Sequence, residues 1–237
     1  MTERRPTRDG SATLYSARYA QPYASEHGAL KEAQGVFLAG SGVGERLEHG
    51  ETVRVLEVGF GTGLNFFVTA AACLEDPAAR LEAKLDYVAL EHTLLDAPTV
   101  RGLAYDALVG GLVEDYLRWR EKLADTAGAR VFETGRVRLE LLVGEALEQP
   151  LPAEGFHAVY HDAFSPAVNP ELWTEDFLEK LVAALRPGGA LVSYCVQGAV
   201  RRRLAALGLT AAKRPGPPGG KREVLAAYKP ARRPPNP

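Results

Sequence analysis

The chain has 237 residues, 46% of them hydrophobic and 24% charged, and a net charge of −2. That is apolar material for one large globular domain with an extension, and it excludes a disordered chain. The start, Met1-Thr2-Glu3-Arg4-Arg5, has no apolar run behind it, no stretch is long and apolar enough to span a membrane, and neither the two cysteines nor the five histidines show a metal-ligand spacing. The expectations are therefore no signal peptide, no membrane and no metal. Cys73 and Cys195, far apart in apolar segments, read as buried thiols of a reducing, cytoplasmic compartment.

Residues 1–12 are polar and are expected to be loose. Residues 1–50 form an N-terminal extension carrying Tyr15, Tyr19 and Tyr23, then a helix-like segment over 28–38 that Gly40, Gly42 and Gly44 end. From 51 to 229 apolar runs alternate with amphipathic segments. Strands are expected at 53–58, 84–90, 136–143, 156–161 and 189–196, and helices at 63–76, 97–109, 113–124 and 174–186. That alternation predicts an α/β fold, a Rossmann-like doubly wound sheet covered on both faces. Two last strands, at 208–213 and 223–229, are expected to pair antiparallel. Residues 230–237, with four prolines, read as a disordered tail. No heptad or apolar edge strand stands out, which favours a monomer.

The most informative stretch is Val55-Leu56-Glu57-Val58-Gly59-Phe60-Gly61-Thr62-Gly63-Leu64-Asn65. A buried strand ends in an acid, breaks into alternating glycines and opens a helix. A dinucleotide fingerprint, G-x-G-x-x-G, holds a pyrophosphate on backbone amides at a helix N-terminus. Here the pattern is E-x-G-x-G-x-G, with the third glycine one residue early. Glu57 just before the turn would repel a pyrophosphate and suit a cationic or amino-bearing ligand. The pattern resembles motif I of the class I S-adenosylmethionine-dependent methyltransferases. That resemblance assigns Glu57, Gly59, Gly61 and Gly63 to the cofactor.

Ligands of open α/β sheets sit outside the carboxyl ends of the strands. The second strand ends at Glu91, placed to accept hydrogen bonds from ribose hydroxyls, or else an exposed helix-initiating acid. The third ends at Glu145, which the methyltransferase resemblance would set against the adenine amino group; otherwise it stabilises a helix N-terminus. The fourth runs into Asp162-Ala163-Phe164-Ser165-Pro166. An acid, a spacer and an aromatic at this point are similar to the D-P-P-Y type motif of amine and base N-methyltransferases. The residue types suit the chemistry, because an attacking nitrogen must present a lone pair. A carboxylate accepts its N–H bonds and aims it. An aliphatic ammonium, with a pKa near that of lysine at about 10.4, must first lose a proton. Asp162 either receives that proton or passes it to water, and Phe164 can stack on a flipped-out base. A helix-capping Asp and a core Phe are the alternative.

Over roughly residues 9–229 the chain resembles the MnmC/MnmD family of tRNA methyltransferases. Asp162 to Thr174 looks like the family's D-x-F-x-P-x-x-N-P-x-[LM]-W-T. Gly59 to Phe66 is similar to its G-F-G-T-G-L-N-F, which adds Asn65 to the cofactor set. Gly198 to Leu204 resembles G-x-V-R-R-x-L, and Lys221-Arg222-Glu223 resembles its K-R-E. Where the family has glycine-aromatic-glycine before that last motif, this chain has Gly216-Pro217-Pro218-Gly219-Gly220.

The resemblance implies methylation of the 5-aminomethyl group of wobble uridine in tRNA, with S-adenosylmethionine as cofactor. It also implies the stand-alone methyltransferase form, since the chain is too short to add the flavin-dependent oxidase domain of bifunctional relatives. Ten of the 28 basic residues but one of the 30 acids lie from Arg201 onward. Charge alone leaves this segment open between nucleic-acid contact and a solvated tail. The resemblance implies that Arg201, Arg202, Lys221 and Arg222 track the anticodon-arm phosphates, and that Trp173 is a base-stacking platform. Trp119 reads rather as a core aromatic. A class I methyltransferase or aminopropyltransferase acting on a small amine is the competing reading.

Overall fold

The structure is a computed structural model that describes residues 2–75, 83–124, 126–220 and 222–232. The chain order begins with three short strands, β1 (Thr2–Pro6), β2 (Ala12–Ser16) and β3 (Gln21–Pro22). Two helical turns follow, α1 (Ala29–Glu32) and a π-helical stretch over Ala33–Ala39, then α2 (Val43–Glu48). The central part runs β4 (Thr52–Val58), α3 (Leu64–Leu74), β5 (Lys84–Glu91), α4 (Ala97–Arg101), α5 (Asp106–Val109), α6 (Leu112–Arg120), β6 (Gly128–Thr134) and β7 (Val137–Val143). The last part runs β8 (Phe156–His161), a 3-10 turn (Pro170–Trp173), α7 (Glu175–Ala184), β9 (Leu185–Ser193), α8 (Gly198–Ala206), β10 (Thr210–Pro215) and β11 (Glu223–Tyr228).

Eight strands form one sheet in the order β10-β11-β9-β8-β4-β5-β7-β6. β4 is central because its residues suit that place best: Val53, Val55, Leu56 and Val58 are all fully buried, and a strand covered on both faces carries a near-continuous apolar run, broken here near its end by the buried Glu57. It pairs in parallel with β5 on one side and β8 on the other. Val58 lies opposite Leu90 and His161, and Glu91 lies opposite Val143. The carboxyl ends of four strands are therefore level. Backbone bonds carry the ladder one step further: Gly59 donates to Leu90 O at 3.0 Å, Asp162 to Val58 O at 3.0 Å and Gly144 to Glu91 O at 2.9 Å.

Two apolar layers cover the sheet. α3 and the N-terminal extension pack with α6 on one face, around Phe66, Phe67, Tyr87 and Tyr116. α7 and α8 cover the other, around Phe177, Leu178, Leu181 and Leu204. Burying each such side chain contributes about 1.5–3 kcal/mol. Trp119 packs at the edge of the first layer against Tyr116 and Phe132, as a core aromatic does.

The parallel strands and their helices lie close to the ranges expected from periodicity. Four departures have physical causes. Residues 2–6 are not loose: β1 pairs antiparallel with β2. Their connection is fixed by Asp9, which accepts bonds from Thr7 Oγ1 at 2.7 Å, Ser11 Oγ at 2.6 Å and Lys31 N at 3.0 Å. Burial alone would raise this carboxyl, but those donors bring it down to about 2. β6 was not expected, because it lies on the sheet edge and buries only Phe132. The helix expected over 97–109 is two helices, parted at Gly102 and at Ala104, whose φ is +56°. β9 begins at Leu185, inside the expected helix, because Leu185 already pairs with Phe156. Residue 76 of the expected helix 63–76 and residues 233–237 of the expected tail lie outside the described residues.

Candidate active site

β4 leads to β5 and β7 on one side, and the chain then returns to β8 on the other. The crevice at such a reversal is where open α/β sheets bind ligands. A cavity of about 870 Å³ opens there. Gly59, Gly61, Asn65, Glu91, Glu145, Asp162 and Phe164 line it from the sheet, and Tyr19, Gln21 and Tyr23 from the extension.

The glycine turn is built for close approach. Gly59 has φ +88°, and a Cβ on it would stand 2.9 Å from the Asp162 carbonyl oxygen. Gly61 has φ +52°, and a Cβ there would meet the Tyr23 ring at 3.0 Å. Glu91 clamps the turn: its Oε2 accepts from Gly61 N at 2.8 Å and its Oε1 from Thr93 N at 3.1 Å. Burial raises the Glu91 carboxyl above its ordinary range despite those bonds. Glu145 stands at the rim, exposed, with an oxygen 3.1 Å from His92 Nε2.

Asn65, in the first turn of α3, joins two acids. Its Nδ2 donates to Glu57 Oε1 at 2.8 Å and to Asp162 Oδ2 at 2.7 Å. Glu57 is fully buried, and burial pushes its carboxyl up to about 8. The expectation that Glu57 faces a ligand therefore needs correction. It is not among the cavity-lining residues. It lies beneath the site and acts through the Asn65 amide.

The loop after Asp162 is held from several sides. Tyr194 Oη donates to Ala163 O at 2.8 Å, and Trp173 Nε1 to Phe164 O at 2.8 Å. Gln21 Nε2 donates to Ser165 Oγ at 2.7 Å and Ser165 N to Gln21 Oε1 at 3.3 Å. Tyr19 stacks on Phe164 with centroids 4.3 Å apart, and Tyr23 meets the same ring edge-on at 5.1 Å. Of the three extension tyrosines, Tyr15 does not reach the cavity; the Arg5 guanidinium covers its ring at 3.8 Å.

The expectation of a base-stacking Trp173 also needs correction. Its ring is 1% exposed and stacks on buried His161 at 4.0 Å. An indole N–H needs a partner once buried, and the Phe164 carbonyl supplies it. Trp173 therefore supports the loop and offers no face to a ligand. Burial also lowers His161 to about 4, so the ring is neutral near pH 7.

Arg201, Arg202 and Arg222 are exposed. Arg203 donates to Trp173 O at 2.6 Å, which ties α8 to the site loop. Lys213 pairs with Glu223 at 2.6 Å. Lys221 lies outside the described residues.

Two site residues escaped sequence reasoning. Tyr194 directly follows β9, so reading that strand's carboxyl end would have found it. Gln21 carries no local signal, since its role depends on a partner 144 positions away.

A glycine turn lining the cavity without side chains at Gly59 and Gly61, an acid clamping it and a cavity of this size fit the adenosyl and methionyl parts of S-adenosylmethionine. Gly59, Gly61, Glu91 and Glu145 would hold it. Fold and site thus define a class I methyltransferase. Residues 107–230 match the family described as S-adenosyl-L-methionine-dependent methyltransferase. The bifunctional protein MnmC of tRNA 5-methylaminomethyl-2-thiouridine biosynthesis from Ralstonia nicotianae is 36% identical over 218 residues, which are 91% of this chain and 33% of that protein. The protein of the same name from Aromatoleum aromaticum is 37% identical over 224 residues, 89% of this chain and 33% of its own. The crystal structure of MNMC2 from Aquifex aeolicus matches all of this chain and 73% of its own with a TM-score of 0.79 and 29% identity. The chain belongs to this family of S-adenosyl-L-methionine-dependent methyltransferases. It spans about a third of the length of the curated relatives it matches.

Proposed function

We propose that this protein methylates the 5-aminomethyl group of wobble uridine in tRNA, giving 5-methylaminomethyl(-2-thio)uridine. The observation that carries this reading is the Asp162 carboxylate, held by Asn65 at 2.7 Å beside the glycine turn and next to the Phe164 ring. S-adenosylmethionine supplies an electrophilic methyl group on a sulfonium. The chain's own residues do the rest. Asp162 accepts an N–H bond from the substrate amine, takes up or passes on the ammonium proton, and aims the nitrogen lone pair at the cofactor side of the cavity. Tyr19, Tyr23 and Phe164 exclude water around the amine. Because the Asn65 amide donates to one Asp162 oxygen, the carboxylate is kept from rotating.

Exposed Arg201 and Arg202, together with Lys221 and Arg222, are the cations proposed to follow the anticodon-arm phosphates. A monomer in the cytoplasm suits this role. Val131 and Leu147 are the only exposed large hydrophobic residues among those described, which leaves little for a permanent partner.

The test is mass spectrometry of nucleosides from tRNA carrying 5-aminomethyluridine after incubation with the protein and S-adenosylmethionine. A gain of one methyl on that nucleoside, absent with Asp162→Ala, is expected. No gain in a preparation that still binds the cofactor would overturn the RNA reading and favour a small amine, whose methylation would be insensitive to added salt.

A further inference from the structure

Phe164 cannot easily move. Its carbonyl accepts from buried Trp173, the preceding carbonyl accepts from Tyr194, and Ser165 is bonded twice to Gln21. The ring stacked on it is held differently. Tyr19 lies in the turn 17–20 between β2 and β3, where Ala17, Arg18 and Ala20 are exposed. Ala20 has φ +51°, a sparsely populated conformation for a residue with a Cβ. Among the described residues, Ser16 Oγ, at 3.3 Å from Tyr19 N, is the one side chain that ties the Tyr19 backbone. Both ends of the turn are pinned, by the pairing of Tyr15 with Pro22 and of Ser16 with Gln21. A swing of Tyr19 is therefore confined to the turn and leaves the loop after Asp162 in place.

The two rings are nearly parallel, 23° apart, and their 4.3 Å separation is ordinary stacking contact. A flat ligand would enter between them if Tyr19 retreated until the rings stood roughly 7 Å apart, two contact distances of about 3.5 Å. The Arg18 guanidinium stands 5.2 Å from the Tyr19 centroid, so the same turn carries a cation that can meet a phosphate. Two parallel aromatic faces, a cation and an acid within one cavity match a nucleobase on a phosphodiester chain.

We propose that Tyr19 and Phe164 are the movable and fixed jaws of a base clamp. They close on each other in the free protein and open to take the extruded pyrimidine of the RNA substrate between them. The inference rests on the RNA reading of the site. It adds a substrate-binding residue from the N-terminal extension.

The experiment uses a synthetic anticodon stem-loop with 5-aminomethyluridine at the wobble position, and a second with fluorescent 2-aminopurine there. Wild type, Tyr19→Phe and Tyr19→Leu are compared for methyl transfer, for 2-aminopurine quenching and for S-adenosylmethionine affinity. Phe is expected to preserve kcat/KM within about twofold. Leu, which keeps apolar bulk but loses the π face, is expected to lower kcat/KM roughly tenfold or more, mainly through KM, and to weaken quenching. Cofactor affinity is expected to be unchanged in both. Wild-type kcat/KM and quenching in the Leu variant would overturn the clamp, as would a parallel loss of cofactor affinity. If wild type fails to methylate the RNA yet quenching depends on Tyr19, the clamp stands and the proposed reaction falls.

Discussion

Asn65 reaches across from the first turn of α3 to the end of β8 and donates to the Asp162 carboxylate at 2.7 Å, while the same nitrogen donates to buried Glu57 at 2.8 Å. One amide thus couples an acid in the cavity to an acid beneath it. The Asp162 oxygen that Asn65 engages is fixed in direction, which is what aiming an amine lone pair requires.

Removing the carboxylate with Asp162→Ala is expected to cut turnover by about 10²–10⁴-fold, with cofactor affinity nearly intact. Asn65→Ala, which removes the amide that engages one Asp162 oxygen, should cost about 10²-fold. Asn65→Asp should do at least as much damage, because it replaces a donor with a like charge. Single-turnover rates beside calorimetric cofactor affinities check this. A loss of affinity equal to the loss of rate would place both residues on the cofactor instead.

Glu57 gives a pH signature. Its folded pKa, about 8, lies above the ordinary 4.5, so the native state keeps a proton that the unfolded chain releases. The stability this supplies is full below pH 4.5 and is lost as pH rises to about 8, at up to about 1.4 kcal/mol per pH unit. Glu57→Gln keeps a carbonyl for Asn65 and removes the proton. The variant should therefore gain on wild type as pH rises from 4.5 to 8 in denaturant titrations. A constant difference would mean that Glu57 is ionised in the fold.

At Gly61 a side chain is excluded twice, by φ +52° and by the Tyr23 ring 3.0 Å from where its Cβ would stand. Gly61→Val should abolish measurable cofactor binding and lower stability by about 1–3 kcal/mol. Equilibrium dialysis with labelled S-adenosylmethionine reads the first effect and thermal unfolding the second. Unchanged affinity would place the cofactor elsewhere.

Trp173 is a support, and its loss should register first in stability. Trp173→Ala is expected to cost about 3–5 kcal/mol, the range for deleting a buried aromatic. It also frees the Phe164 carbonyl. Urea midpoints test this. A stable variant with selectively lost RNA affinity would restore a ligand-facing Trp173.

Arg202→Glu combined with Lys221→Glu should weaken tRNA binding and flatten its dependence on salt, each lost phosphate contact lowering the slope by somewhat less than one. Filter binding between low and moderate salt measures both. An unchanged slope would leave the basic segment without a role in RNA contact.

Local chemistry wrote much of this protein into its sequence. Periodicity marked β4, β5, β7 and β8, because strands inside a covered sheet carry near-continuous apolar runs, as β4 does, or apolar alternation, as β7 does. The glycine turn was visible because a close backbone approach needs residues without a Cβ, and the acids were visible because ligands of open α/β sheets sit outside the carboxyl ends of the strands. What the sequence could not say is where each acid points. Glu57 and Asp162 are both acids near strand ends, yet one is sealed below the sheet edge and the other lines the cavity, a difference set by α3 and its Asn65. Trp173 looked available until burial against His161 and the Phe164 carbonyl gave it a structural task. Gln21 became a site residue only when the β1–β2–β3 sheet laid it on a loop 144 positions away, and the same sheet set the Tyr19 ring on Phe164. Contacts between residues that far apart carry no sequence spacing, so only the tertiary structure decided them.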